Sequence, residues 1–364
     1  MKILLRKWTL MACMIICAGQ ALGAEFMKGV DLSMLQHLQD HGVAYRQDGK
    51  VRDPLQIFKD HGCNWVRLRL FVAPNGREGQ VNTLSYTLRL AQRVKQAGLG
   101  FMLDLHYSDQ WADPGHQTIP AEWKDLSHAQ LVARVGAYTR ETVAAFHREG
   151  CPPGMVAVGN EITNGMLWPD AGPLTSDAKW DHLADLLKAA IRGMHEGASG
   201  TPSKVMIHLD KGGNREACRW FFDNLQRRAV PFDVIGLSYY PFWHGTLADL
   251  KGNLAALALT YKKDIIVVET AYDMSGGQQK ELPFPPTEAG QQAFLEELIR
   301  VVAATPDGRG KGVCYWAPEW IRGSQWDGPQ WSKQNENRAL FDEQGNPRPG
   351  LAALRAIEEE PPIK

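Results

Sequence analysis

MVAVGNEI, residues 155–162, runs four apolar side chains and a glycine straight into Asn160 and Glu161. DIIVVET, residues 264–270, repeats the arrangement and ends on Glu269-Thr270. Apolar runs without alternation are what strands covered on both faces of a parallel sheet look like. A carboxylate at the end of such a strand is costly to ionise unless something nearby offsets the burial. In parallel α/β folds the strand ends are where chemistry is placed.

Six further runs share this character: KGVDLS (28–33), NWVRLRL (64–70), GFMLDLH (100–106), KVMIHL (204–209), DVIGLSY (233–239) and GVCYWAP (312–318). The segments between them carry helix punctuation. Asp53-Pro54 opens one helix and Gly62 closes it. Ser127 and Gln130 form a capping box ahead of a stripe at Leu131, Val135, Tyr138 and Thr142. Trp180, Leu183, Leu187, Ala190, Ile191 and Met194 make another. Eight strand–helix units with no second composition class predict an α/β chain folded as one (β/α)8 TIM barrel over residues 25–364. The competing doubly wound sheet needs a Gly-rich phosphate turn after its first strand, and KGVDLSMLQHL has none. The segments 273–287 and 317–349 follow strands and are long enough to hang over the barrel mouth.

Of the 364 residues 44% are hydrophobic and 22% charged, the balance of a globular enzyme with a large core. A formal net charge of −1 supplies no basic footprint for nucleic acid. Twelve tryptophans read either as core or as flat faces on which sugar rings stack. At the N-terminus, Lys2, Arg6 and Lys7 precede WTLMACMIICAG and the small residues Ala21, Gly23 and Ala24. This predicts a signal peptide over 1–24, with an uncleaved anchor as the alternative. A secreted or periplasmic protein is expected, with no membrane contact after cleavage. Cys63, Cys151, Cys218 and Cys314 remain, with no CxxC pair and so no zinc signature; their pairing stays open.

Glu161 ends the fourth strand and Glu269 the seventh, so a barrel sets them facing across its mouth. Two carboxyls so placed are the minimal machinery for cutting a glycosidic bond, and in retaining enzymes they stand about 5–5.5 Å apart. Partial burial and a second carboxylate would raise Glu161 into an acid/base, while Arg67 would keep Glu269 ionised as nucleophile. Arg67 and Arg69 share one strand face. The run LDLHYSDQWADPGHQTIPAEW (103–123) carries His106, Asp109, Asp113 and His116, whose spacing is a poor metal signal. They are read as sugar-hydroxyl ligands that brace the catalytic pair, with Trp111 or Trp123 as a stacking face. Asn160, Asp210, a tyrosine of SYYPFW (238–243) reaching the nucleophile, and Trp316 complete the expected groove.

HYSDQWADPGHQ (106–117), VGNEI with MLWP (158–169), HLD (208–210), SYYPFW and VVET (267–270) resemble glycoside hydrolase family 53, the endo-β-1,4-galactanases. The resemblance extends from KGVDLS to the closing NRALFDEQGNPRPGLAAL. It implies a barrel cutting β-1,4-galactan of pectic arabinogalactan with retention, with Glu161 as acid/base and Glu269 as nucleophile. It also implies substrate contacts by Arg67, His106, Asp109, Trp111, Asn160, Asp210, Tyr239 and Trp316. The chain departs from the family's frequent residues at Ala317, Ala271-Tyr272 and Thr163-Asn164-Gly165, all near the groove. No cofactor is required on this reading. Structural calcium, which some bacterial relatives bind after strands seven and eight, has oxygen donors in Asp273, Asp327, Asn335 and Asp342. The expected partner is the polysaccharide alone, with the chain a monomer. The rival classes are a galactan-binding protein without turnover, a retaining barrel hydrolase acting on mannan or glucan, and a metal-dependent hydrolase.

Overall fold

The computed structural model describes residues 26–200, 203–276, 282–325, 333 and 335–355. The leader expected at 1–24 and the calcium donor Asp327 lie outside these residues. Eight parallel strands close into a barrel: β1 Met27–Asp31, β2 Trp65–Leu70, β3 Gly100–Leu105, β4 Met155–Val158, β5 Lys204–Leu209, β6 Val234–Ser238, β7 Asp264–Thr270 and β8 Gly310–Trp316. The strands neighbour one another in sequence order and β8 closes on β1. The expected single-domain (β/α)8 barrel is the fold observed.

Helices α1 Leu35–Asp40, α2 Pro54–Asp60, α3 Leu84–Gln96, α4 His128–Arg148, α5 Asp177–Gly197, α6 Arg215–Arg227, α7 Leu247–Tyr261 and α8 Glu288–Ala303 form the outer layer. A 3-10 turn at Pro349–Arg355 stands in the last helical position. The predicted caps are made. Asp53 accepts the Leu55 amide at 3.0 Å, and Gln130 accepts the Ser127 amide at 2.8 Å. Of the stripes, Leu131, Val135 and Thr142 on α4 and all six named residues of α5 are buried. Among the described residues no helix is long and apolar enough to cross a membrane.

Alternation along the strands sorts the barrel interior into levels. Near the strand starts, Met27, Met102, Met155, Ala157, Met206, Val234, Ile266 and Val268 form an apolar floor, with Trp65 packed against it. Gly236 has no side chain because a Cβ there would lie 2.6 Å from the Met206 sulfur. One step further along the same faces come Asp31, Arg67, Asp104, His208 and Ser238, all buried. The apolar floor thus supports a polar layer, and the mouth opens above it.

At β4 and β7 the backbone leaves the regular strand pattern. The strand expected over 155–160 stops at Val158, because Gly159 (φ 103°) and Glu161 (φ 48°) take left-handed conformations that no strand tolerates. β7 is bulged: Leu237 pairs with Val267, but Ser238 pairs with Glu269, skipping Val268. Val268 and Glu269, adjacent in sequence, therefore both face inward, one to the floor and the other to the mouth.

Candidate active site

Arg67 stands at the centre of the mouth, fully buried on β2. One of its terminal nitrogens lies 2.7 Å from Asp31 of β1. The other lies 2.7 Å from Glu269 Oε1, 2.9 Å from Asp104 of β3 and 2.9 Å from the side-chain oxygen of Asn160. Charge-assisted contacts of this length fix the plane of each carboxylate. The second oxygen of Glu269 accepts the Tyr240 hydroxyl at 3.1 Å. Asn160 gives its amide nitrogen to the Ala112 carbonyl at 2.7 Å, which ties the loop after β3 to β4.

Glu161 has a different surrounding. Its Oε1 accepts a 2.5 Å bond from the Ser238 hydroxyl, and no cation touches it among the described residues. One oxygen of Glu161 comes within 4.8 Å of one of Glu269. The two carboxyls are thus close enough for both to reach one sugar carbon and its oxygen. Burial raises both. Glu161 is pushed well above the usual carboxylate range, by burial first and then by the charges of Glu269 and Asp210. For Glu269 the Arg67 guanidinium opposes burial, leaving it the more acidic of the two. One group suited to give a proton therefore faces one suited to carry charge.

Around the pair lies a cavity of about 450 Å³ whose walls include Arg69, His106, Trp111, Trp243, Trp316 and Arg338. The Arg69 guanidinium lies 4.3 Å from the centre of the Trp111 ring, and Trp111 meets Trp316 edge-on at 6.4 Å. His106 accepts the Ala112 amide on Nδ1 at 3.1 Å, so its proton sits on Nε2, 3.0 Å from Asp104. Burial holds His106 below its ordinary value, and it is neutral. Asp104, which burial alone would raise, is held well below the carboxylate range by Arg67 and His106. A second cavity of about 570 Å³ shares Asp210, Trp243 and His244 with the first and extends the groove outward.

Of the residues expected from sequence, Arg67, His106, Trp111, Asp113, Asn160, Glu161, Asp210, Glu269 and Trp316 converge on this cavity. Three do not. Tyr239 points away and donates to the Gly245 carbonyl at 2.9 Å; its neighbour Tyr240 reaches the carboxylate instead. Asp109 braces two loops by accepting the Ala73 and Ala121 amides at 2.9 and 2.8 Å. His116 is exposed and paired with Asp113 at 3.0 Å. Trp123, offered as a stacking face, is buried against Tyr138 and Arg134. Tyr240 is the tyrosine of SYYPFW that reaches the nucleophile, whereas Asp31, Asp104, His208 and Ser238 join the site without a sequence motif to mark them, although each occupies an inward register position of its strand.

Of the donors expected for calcium, Asp342 and Asp273 are held within their own turns. Asp342 is engaged by the Gln344 and Asn346 amides of its own turn, and Asp273 by the Ser275 amide. Among the described residues neither joins a group of three close carboxylate, imidazole or thiolate ligands. The four cysteines are buried free thiols.

A model of glycosyl hydrolase family 53 matches residues 27–354. The chain is 39% identical to a Niallia circulans protein described only as uncharacterized, in the bgaB 5′ region, over 92% of this chain and 95% of that one. It is 37% identical to a probable arabinogalactan endo-β-1,4-galactanase A of Neosartorya fischeri, over 85% and 88% of the two chains. The solved family 53 catalytic domain of Ignisphaera aggregans superposes with a TM-score of 0.84 at 33% identity, covering 93% of this chain and 98% of that one.

Proposed function

The chain belongs to glycosyl hydrolase family 53, and on that premise we propose that it is an endo-acting, retaining hydrolase of β-1,4-galactan and type I arabinogalactan. The observation that carries the mechanism is the asymmetric carboxyl pair: Glu269 held by Arg67 at 2.7 Å, and Glu161 within 4.8 Å of it without a cation. Glu269 attacks the anomeric carbon while Glu161 gives its proton to the departing oxygen. Glu161 then takes a proton from water as that water displaces Glu269 from the sugar. The residues need no cofactor for these steps. The galactose preference is supported by the names of relatives such as the Neosartorya protein, because a carboxyl pair on a barrel does not encode the sugar. The signal-like leader supports action in a secreted or periplasmic setting, on a polysaccharide partner.

Product analysis on linear β-1,4-galactan, with β-1,4-mannan and carboxymethylcellulose alongside, tests the substrate. Short galacto-oligosaccharides from galactan alone are expected. Hydrolysis of mannan or glucan in its place would overturn the sugar assignment, and inertness on all three would leave a binding protein. For the mechanism, Glu269→Ala should abolish turnover, and azide should restore cleavage of an activated aryl galactoside with inversion. No rescue would remove Glu269 as nucleophile.

A further inference from the structure

His208 lies on β5 one inward step above Met206, buried and two residues before Asp210. It makes no hydrogen bond to either carboxylate of the pair, yet its Nε2 is 2.9 Å from the Ser238 hydroxyl, which is 2.5 Å from Glu161 Oε1. Its Nδ1 is buried with no hydrogen-bond partner. Arg67, Asp104 and His106 face it, Glu161 and Glu269 each bring an oxygen within 4.8 Å of one of its ring nitrogens, and burial, then Arg67, pushes it down to about 3. His208 is therefore neutral and carries one N–H. An N–H on Nδ1 would be a buried donor without an acceptor, whereas a bare lone pair there costs less. The proton belongs on Nε2, donated to Ser238.

This settles the direction of the chain. A serine hydroxyl has a single proton. With one lone pair of Ser238 already accepting from His208, that proton points at Glu161 Oε1. Oε1 is then the acceptor oxygen, and the acid proton of Glu161 is left on Oε2, which has no protein partner among the described residues. We propose that His208, acting through Ser238, is a positioning residue that places the catalytic proton of Glu161 on the oxygen facing the substrate. The inference rests on the acid/base reading of Glu161 above. In the first step the Oε2 proton passes to the glycosidic oxygen as the bond from carbon to that oxygen breaks and the bond to Glu269 forms. In the second, Oε2 takes a proton from water as the water oxygen bonds to the carbon and Glu269 leaves. Ser238 donates to Oε1 throughout, so Glu161 need not rotate between its two roles.

The groups facing Glu161 are Glu269 on β7, His208 on β5 and Asp210 beyond it, Arg67 on β2, and Ser238 and Tyr240 on and beyond β6. The Ser238 bond lowers the Glu161 pKa, so losing it should shift the alkaline limb of activity to higher pH. The experiment compares kcat/KM for galactan and for a 2,4-dinitrophenyl galactobioside, whose leaving group needs no proton, across pH. Ser238→Ala and His208→Leu should lose about tenfold or more on galactan relative to the activated substrate. Ser238→Ala should also move the alkaline limb upward. Ser238→Thr, which keeps the hydroxyl, and His208→Gln, which keeps an N–H, should recover much of the loss and serve as folded controls. Equal losses on both substrates with an unmoved limb would mean a structural role only and overturn the proposal. Glu161→Ala separates the two levels. If it abolishes galactan cleavage but spares the activated substrate while Ser238→Ala does nothing selective, the positioning role falls and the acid/base reading stands. If Glu161→Ala loses both substrates alike or neither, that reading falls and the proposal with it.

Discussion

Arg67 is one cation among three buried carboxylates, those of Asp31, Asp104 and Glu269. Removing the charge from such a cluster strands the partners in a medium that cannot solvate them, at a cost of about 3–5 kcal/mol. Arg67→Met is therefore expected to lower unfolding free energy by that order in a denaturant titration. Arg67→Lys keeps a charge but not the fork that serves four oxygens. A weakened cation contact favours the protonated form of Glu269, so the acid limb of the pH–rate profile should move to higher pH. An unmoved limb would mean that something other than Arg67 keeps the nucleophile ionised. The adjacent tyrosines separate site from scaffold. Tyr240→Phe should reduce kcat about tenfold or more by removing a donor to Glu269. Tyr239→Phe loses a bond to the Gly245 carbonyl and should cost about 1 kcal/mol of stability with little change in rate. The reverse pattern would restore Tyr239 to the site.

At the scale of elements, the bulge in β7 and the left-handed turn after β4 aim the two glutamates. Strict alternation with Ile266 and Val268 would send Glu269 outward to the helices. The skipped residue turns it back to the mouth. Helices α4 and α5 meet at similarly narrow tolerance: a Cβ on Gly193 would fall 2.1 Å from the Gly136 carbonyl oxygen. Gly193→Ala gains helix propensity but must push the helices apart, and overpacking of that kind costs about 1–3 kcal/mol. A fall in thermal midpoint, with kcat unchanged for the folded enzyme, is expected. A rise would show that propensity outweighs the contact. This part of the fold was legible in the sequence only as a stripe. Trp180, Leu183 and Leu187 announced a buried face, whereas the closeness of approach depends on a partner helix some fifty residues away.

At the scale of the whole molecule, Glu319 beyond β8 joins the last strand to the first helix. Its Oε1 accepts the Met34 amide at 3.0 Å and its main-chain oxygen accepts the Tyr45 hydroxyl at 2.6 Å. The other carboxyl oxygen is buried without a partner. Burial and the nearby charge of Asp31 push the carboxyl up to about 8 from 4.5. A carboxyl raised in the folded state binds its proton more tightly there than in the unfolded chain. Its contribution to stability is complete below pH 4.5 and is lost as pH rises through about 8. Glu319→Gln should remove that decline, so that the variant gains on the parent between pH 5 and pH 8, by an amount on the order of a few kcal/mol. Parallel stability–pH curves for the two proteins would show that Glu319 does not carry the proton.

The sequence by itself determined the barrel, the strands that bear the carboxyls, and most of the groove. Each of these depends on short-range pattern: apolar runs, capping residues, and chemistry-bearing side chains at strand ends. It also holds two register signals on β6 and β5. Val234, Gly236, Ser238 and Tyr240 lie in a single period-two register, which points to Tyr240 rather than Tyr239 and places Ser238 beneath it. His208 shares its register with Met206 and Asp210 in the same way. Only the tertiary structure decided the rest. No local pattern announces that β7 skips Val268, that Arg67 reaches β1, β3 and β7 at once, or that Asp109 braces loops instead of lining the groove. A bulge, a shared cation and a loop clamp are set by which strands end up as neighbours. That is settled when the barrel closes and every buried polar group must find its partner.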